Sequence, residues 1–123
     1  YAAIDPYRDS IKNELVYVKR KLYAGADGFF TQPFFDLRTI EIYHELLENQ
    51  QVYFGLAPVL SERSKNYWYA KNHVIFPKDF NPDMDWNIGF AKKVLSFCQA
   101  NGRDVYLMPI RTNIENYLSK VLG

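Results

Sequence analysis

The side chains best suited to chemistry are few, and most stand where an apolar run stops. Gln32 closes the run Gly28-Phe-Phe-Thr-Gln32. A side-chain amide donates and accepts at once, so it suits a heterocycle whose edge mixes donors and acceptors. It serves equally well to cap a neighbouring loop. Arg111 follows the run Val105-Tyr-Leu-Met108 and can grip a carboxylate at two points, although a solvated loop arginine is the plainer reading. Lys19-Arg20-Lys21 form a basic run near the end of an amphipathic segment, where the helix dipole favours cations in any case. Tyr67-Trp68-Tyr69 place three rings within one helical turn, so at least one must leave the core for a cleft or an interface. Stacking on a flat ligand and plain packing against a loop both fit that triplet.

Several kinds of chemistry lack their residues. There is no Gly-rich phosphate loop, no G-x-G-x-x-G and no G-x-S-x-G elbow. One cysteine (Cys98) and two histidines (His44, His73) give no metal spacing, so no metal site is expected, and His44 reads as a structural mid-helix residue. Carboxylates are scattered along helices, and no complete catalytic set is present. Fifteen basic residues stand against fourteen acidic ones, which gives no basic face for nucleic acid or a membrane surface. No apolar run approaches the roughly 20 residues of a spanning helix. A lone cysteine fits a reducing compartment, so the expected location is the cytoplasm.

Elements that could position these residues follow from periodicity. The chain has 123 residues, 48% of them hydrophobic, which suits one modest domain with a real core. Residues 9–23 carry Ile11, Leu15, Val18 and Leu22 at helical spacing, with Asp9 or Ser10 as N-cap and Gly25 as the stop. Residues 28–32 read as a short buried strand. Asp36 can cap a second helix through about Gln50, with Leu37, Ile40, Tyr43 and Leu47 on one face. A strand at 52–57 stops at Pro58, and Ser61 opens a helix through about Lys71. The stretch 73–77 is too short to assign. The longest helix spans 84–101, lined by Ile88, Ala91, Leu95 and Cys98, and a last strand runs from Val105 to Met108. Thr112 and Glu115 have capping-box spacing before a final helix that buries Ile114, Tyr117, Leu118 and Val121. Continuous apolar strands, each followed by an amphipathic helix, predict parallel strands covered by helices. A small open α/β sheet and part of a barrel fit that pattern equally. In either, ligands bind at the carboxyl ends of the strands, which points to Asp5-Pro6, Thr31-Gln32, Ala57-Pro58 and Met108 through Arg111.

The segments V-K-R-K-L-Y-A-G-A-D-G-F-F-T-Q-P-F-F-D (18–36) and G-L-A-P-V (55–59) resemble the methylenetetrahydrofolate reductase family. The likeness continues through W-N-I-G-F-A-K-K-V-L-S-F-C to Y-L-M-P-I-R-T-N-I-E-N-Y-L-S-K-V-L-G and so covers essentially the whole chain. The T-Q-x-F-F-D segment after A-G-A is its most specific part.

The resemblance implies the C-terminal half of a (β/α)₈ TIM barrel, from the end of strand five, at Tyr1 to Asp5, through helix eight. Residues 1–123 would be one partial-barrel domain of a longer chain, which also suits an opening on Tyr1 in place of methionine. Family members bind FAD, take a hydride from NADH or NADPH, and reduce 5,10-methylenetetrahydrofolate to 5-methyltetrahydrofolate in one-carbon metabolism and methionine biosynthesis. By position, Gln32 corresponds to the glutamine that hydrogen-bonds the folate pterin, Arg111 to an arginine near the folate tail, and Trp68 to an aromatic packing on folate or nicotinamide. Tyr1, Glu14, Arg20 and Lys21 match flavin-contacting positions.

Four positions depart from the family pattern: Asp5 for a histidine, Tyr17 for an asparagine, Ser64 for a glutamine and Ile110 for an asparagine. The family's acid residues belong to the first half of the barrel, so no catalytic residue is expected here and the segment alone should be inactive. Its partners would be the folate substrate, the N-terminal half of the same barrel and possible further copies in a homo-oligomer. Two other readings remain open. One is a non-catalytic folate-binding or regulatory half-barrel that pairs with a partner chain. The other is an unrelated α/β domain with a chance T-Q-P-F-F-D.

Overall fold

The computed structural model describes residues 1–108 and 114–122. Its elements are β1 (Ala2–Ile4), α1 (Ile11–Tyr23), β2 (Phe29–Pro33), α2 (Leu37–Leu46), β3 (Val52–Leu56), α3 (Glu62–Asn72), α4 (Met84–Ala100), β4 (Asp104–Leu107) and α5 (Ile114–Leu122). The four strands form one parallel sheet in the order β1-β2-β3-β4. Every crossover therefore steps in the same direction, without the reversal of a doubly wound sheet. This α/β arrangement is compatible with part of an α/β barrel.

Helix starts follow their capping residues. Ser10 caps α1 by accepting from the amide of Asn13 at 3.2 Å, and Ser61 caps α3 by accepting from Ser64 at 3.1 Å. Asp36 and Asp83 cap α2 and α4 in the same way. Thr112, half of the expected capping box, and Arg111 lie outside the described residues. Helix α2 ends at Leu46, four residues short of the expected Gln50. The cause is tertiary. Arg103, at the start of the last strand, donates to the carbonyls of Gln50 and of Leu47 (2.7 Å) and to Nδ1 of His44 (2.9 Å). A guanidinium on the open carbonyls of a helix end satisfies them without a further helical turn.

The main core lies on one face of the sheet. Ile4, Phe29, Val52, Phe54 and Leu56 from the strands meet Val18, Ile40, Tyr43, Ala91, Val94, Cys98, Tyr117 and Val121 from α1, α2, α4 and α5. Alternation sends the remaining strand residues to the opposite face. Rings of Phe30, Tyr53 and Tyr106 gather on that face with Tyr1. The pairs Tyr1–Phe30, Phe30–Tyr53 and Phe30–Tyr106 stand 5.4, 5.4 and 5.6 Å apart. Tyr1 and Phe30 remain exposed there. Parallel sheets are ordinarily covered on both faces, so this aromatic face is unfinished by the rule of its own fold.

A second cluster gathers beyond the carboxyl ends of the strands. Phe35, Ala57, Val59, Trp68, Val74 and Phe80 form it, with Tyr7 and Met108 against its edge. Helix α3 contributes one buried side chain, Trp68, and is otherwise polar. It belongs to an excursion between β3 and α4, and the connection 73–77 carries no regular element.

Candidate functional site

The carboxyl rim is built from the segments after β1, β2 and β3, and each is held by side chains. After β1, the carboxylate of Asp5 accepts from the amide of Tyr7 at 2.9 Å, and the amide of Asp5 donates to Glu14 at 3.1 Å. The Tyr7 hydroxyl donates to the carbonyl of Pro33 at 2.6 Å, which ties the β1 loop to the end of β2. Burial, with Asp5 and Asp36 close by, raises the Tyr7 pKa far above its ordinary 10.0, so the phenol remains a donor. After β3, the buried side chain of Asn87 bonds both backbone groups of Val59, accepting at 2.9 Å and donating at 2.8 Å. That amide imitates a strand neighbour and fixes the segment Ala57-Pro58-Val59 against α4.

Gln32 is half-buried at the carboxyl end of β2, inside a local irregularity. Phe30 pairs with Tyr53 but Pro33 pairs with Gly55, so β2 uses one extra residue between those points. Thr31 and Gln32 occupy that bulge. Bulges re-aim side chains and recur beside binding sites.

The other expected site residues are dispersed. Trp68 is only 4% exposed and packs 6.3 Å from Phe35, whereas Tyr67 and Tyr69 are 55% and 65% exposed. The aromatic triplet thus divides as its crowding requires, with the indole inside and two phenols outside. Arg111 lies outside the described residues. Ser64, half-buried, stands in the first turn of α3.

The expected flavin residues separate along α1. Glu14 is fully buried in its first turn, and Arg8 binds its two oxygens at 2.8 and 2.9 Å. Arg20 and Lys21 lie in the last turn, roughly 9 Å further along at 1.5 Å per residue. Lys21 donates to the carbonyl of Ala3 in β1. Tyr1 sits at the amino end of β1 with its ring on the open face, away from the rim.

One grouping joins several of these positions. The guanidinium of Arg8 lies 4.7 Å from the centre of the Tyr17 ring, and that of Arg20 lies 5.9 Å from it. Two cations therefore flank one ring, with Glu14 behind Arg8. Such a strip suits an anionic group attached to a flat heterocycle. Spacing singled out Thr31 with Gln32 at the rim but did not single out Tyr7, Arg8, Gly55 or Tyr106 as site-building residues. For Tyr106 a signal existed, because alternation puts it on the face opposite Val105.

Among the described residues no group of three or more His, Cys, Asp or Glu side chains could hold a metal ion. Among the same residues no helix is long and apolar enough to cross a membrane. No protein-family model matches the chain, and no curated protein matches it.

Proposed function

We propose that this chain is the carboxyl-terminal half of a (β/α)₈ barrel and supplies the folate side of a flavin-dependent methylenetetrahydrofolate reductase. The observation that carries the reading is the place of the T-Q-x-F-F-D segment. Its glutamine is the next-to-last residue of a parallel strand, near the rim where α/β folds bind ligands, and its aspartate caps the next helix. The chemical roles follow from side-chain type. The Gln32 amide would bond the donor and acceptor edge of the pterin. Arg111 would pair with the glutamate carboxylate of the folate tail.

Residues on and just before α1 would meet FAD. Arg20 on α1 and Arg8 in the preceding loop, beside Tyr17, would offer cations toward the pyrophosphate and a ring for the heterocycle, Arg8 being paired with Glu14. By resemblance Tyr1 and Lys21 would also contact the flavin, although the Tyr1 ring lies on the sheet face opposite α1 and Lys21 is bonded to the Ala3 carbonyl. When bound, FAD would carry the hydride from NADH or NADPH to the folate. The open aromatic face of Tyr1, Phe30, Tyr53 and Tyr106 is where the first half of the barrel would pack, bringing the acid residues this segment lacks. The reading places the protein in the cytoplasm, as an enzyme of one-carbon metabolism.

The test is folate binding by the full-length protein with and without Gln32→Ala. Losing two hydrogen bonds to a buried heterocycle is expected to weaken 5-methyltetrahydrofolate binding by about 10- to 100-fold. Equal affinity of the variant and the parent protein would remove Gln32 from the site.

A further inference from the structure

The bulge that holds Gln32 is stabilised from two strands away. In a regular parallel ladder the Gly55 amide would donate to a backbone carbonyl of β2. Here it donates to the side-chain hydroxyl of Thr31 at 2.8 Å. The Thr31 carbonyl instead accepts from the hydroxyl of Tyr106, which belongs to β4. Pro33 has no amide to offer the ladder, and pairing resumes where the Phe34 amide donates to the Gly55 carbonyl at 3.0 Å.

Tyr106 reaches β2 by lying across β3. It can do so because its direct partner in β3 is glycine: Tyr106 pairs with Gly55. A β-carbon at position 55 would stand 2.8 Å from the Thr31 carbonyl oxygen and 3.0 Å from the end of the Tyr106 ring. Any other residue there would push the phenol off or press the strand away. The edge of Phe30, at 82° to the Tyr106 ring, fixes the ring from the other side. Thr31, Gly55 and Tyr106 thus replace one ladder interaction with two side-chain bonds, and the extra residue of β2 is accommodated between them.

We infer that Tyr106 is the positioning residue for Gln32, acting through the Thr31 carbonyl to hold the bulge that sets Gln32 at the rim. Side chains alternate along a strand, so gaining or losing one residue of register sends every later side chain to the opposite face. Without the Tyr106 hydroxyl the carbonyl of buried Thr31 loses that donor, and the register without a bulge competes. The ligand consequence rests on the folate reading above; the hold on the bulge does not.

The experiment is a double-mutant cycle on 5-methyltetrahydrofolate binding by the full-length protein, with Tyr106→Phe, Gln32→Ala and their combination. Tyr106→Phe keeps the ring and removes only the hydroxyl. The expected result is about tenfold weaker binding from Tyr106→Phe alone and no further loss when it is added to Gln32→Ala. A purely structural role would weaken both backgrounds alike, and that outcome, or no effect in either, overturns the inference. Backbone amide exchange supplies a readout that needs no ligand. Tyr106→Phe should speed exchange at Gly55 and Phe34 about tenfold and leave Phe29 unchanged. Unaltered exchange at Gly55 and Phe34 would also overturn it. A parent protein that binds no folate but shows the exchange effect would sink the folate reading and leave the positioning intact.

Discussion

Replacing Arg103 with methionine removes the guanidinium and keeps most of the stem, so it isolates the clamp on the end of α2. Three short hydrogen bonds are lost, to the Gln50 carbonyl, the Leu47 carbonyl and Nδ1 of His44, while a fourth, to the His44 carbonyl, is too long at 3.5 Å to add much. Hydrogen bonds from a charged donor contribute about 1.5–3 kcal/mol each when well buried. Arg103 is half-buried, so water can replace part of each bond, and about 1 kcal/mol apiece is the better figure. The sum, about 3 kcal/mol, corresponds to a fall in melting temperature of about 10 °C for a domain of this size. The assay is thermal unfolding followed by far-UV circular dichroism, which reports helix content. Arg103→Lys should recover less than half of the loss, because one ammonium cannot serve three separated acceptors in the guanidinium's planar geometry. A melting temperature for Arg103→Met within about 2 °C of the parent would refute the assignment of the α2 terminus to this clamp.

Three further outcomes follow. Asn87→Ala strips the partner from both backbone groups of buried Val59 and should cost about 3 kcal/mol, read as a lower guanidinium midpoint at unchanged slope. Burial pushes the Cys98 thiol up to about 11 from an ordinary 9.0, so a disulfide reagent at pH 8 should leave it unmodified until the protein unfolds. Burial likewise raises Tyr43 and Tyr117 to about 12 from 10.0. In that window the unfolded chain has released protons that the folded chain retains, so stability is complete below pH 9 and falls as pH rises from 9 to 12. A melting temperature constant from pH 8 to about 11.5 would contradict that burial.

Local signals carried much of the fold. Ser10, Asp36 and Ser61 cap the helices they were expected to open, and the apolar runs at 28–32, 52–57 and 105–108 became β2, β3 and β4 within a residue at their starts. What periodicity could not show came from residues far apart in sequence. The α2 terminus is set by Arg103, more than 50 residues later. The continuation of β2 through Pro33 depends on a bulge whose partners are Gly55 and Tyr106. Trp68 is inside because Phe35 and the post-strand segments build a second cluster around it, which a polar helix sequence gives no sign of. At the site, Gln32 stands at a strand end as its position suggested. The contacts of Arg8 and Arg20 with the Tyr17 ring needed the loop after β1 to fold back on α1, which spacing alone does not encode.

The proposed membership of a flavin-carrying folate reductase is decided by the visible absorption spectrum of the full-length protein. A flavin spectrum that bleaches on anaerobic addition of NADH or NADPH and returns when 5,10-methylenetetrahydrofolate is added is the expected result. A colourless protein, or a flavin that bleaches and stays bleached in the presence of the folate, would contradict it.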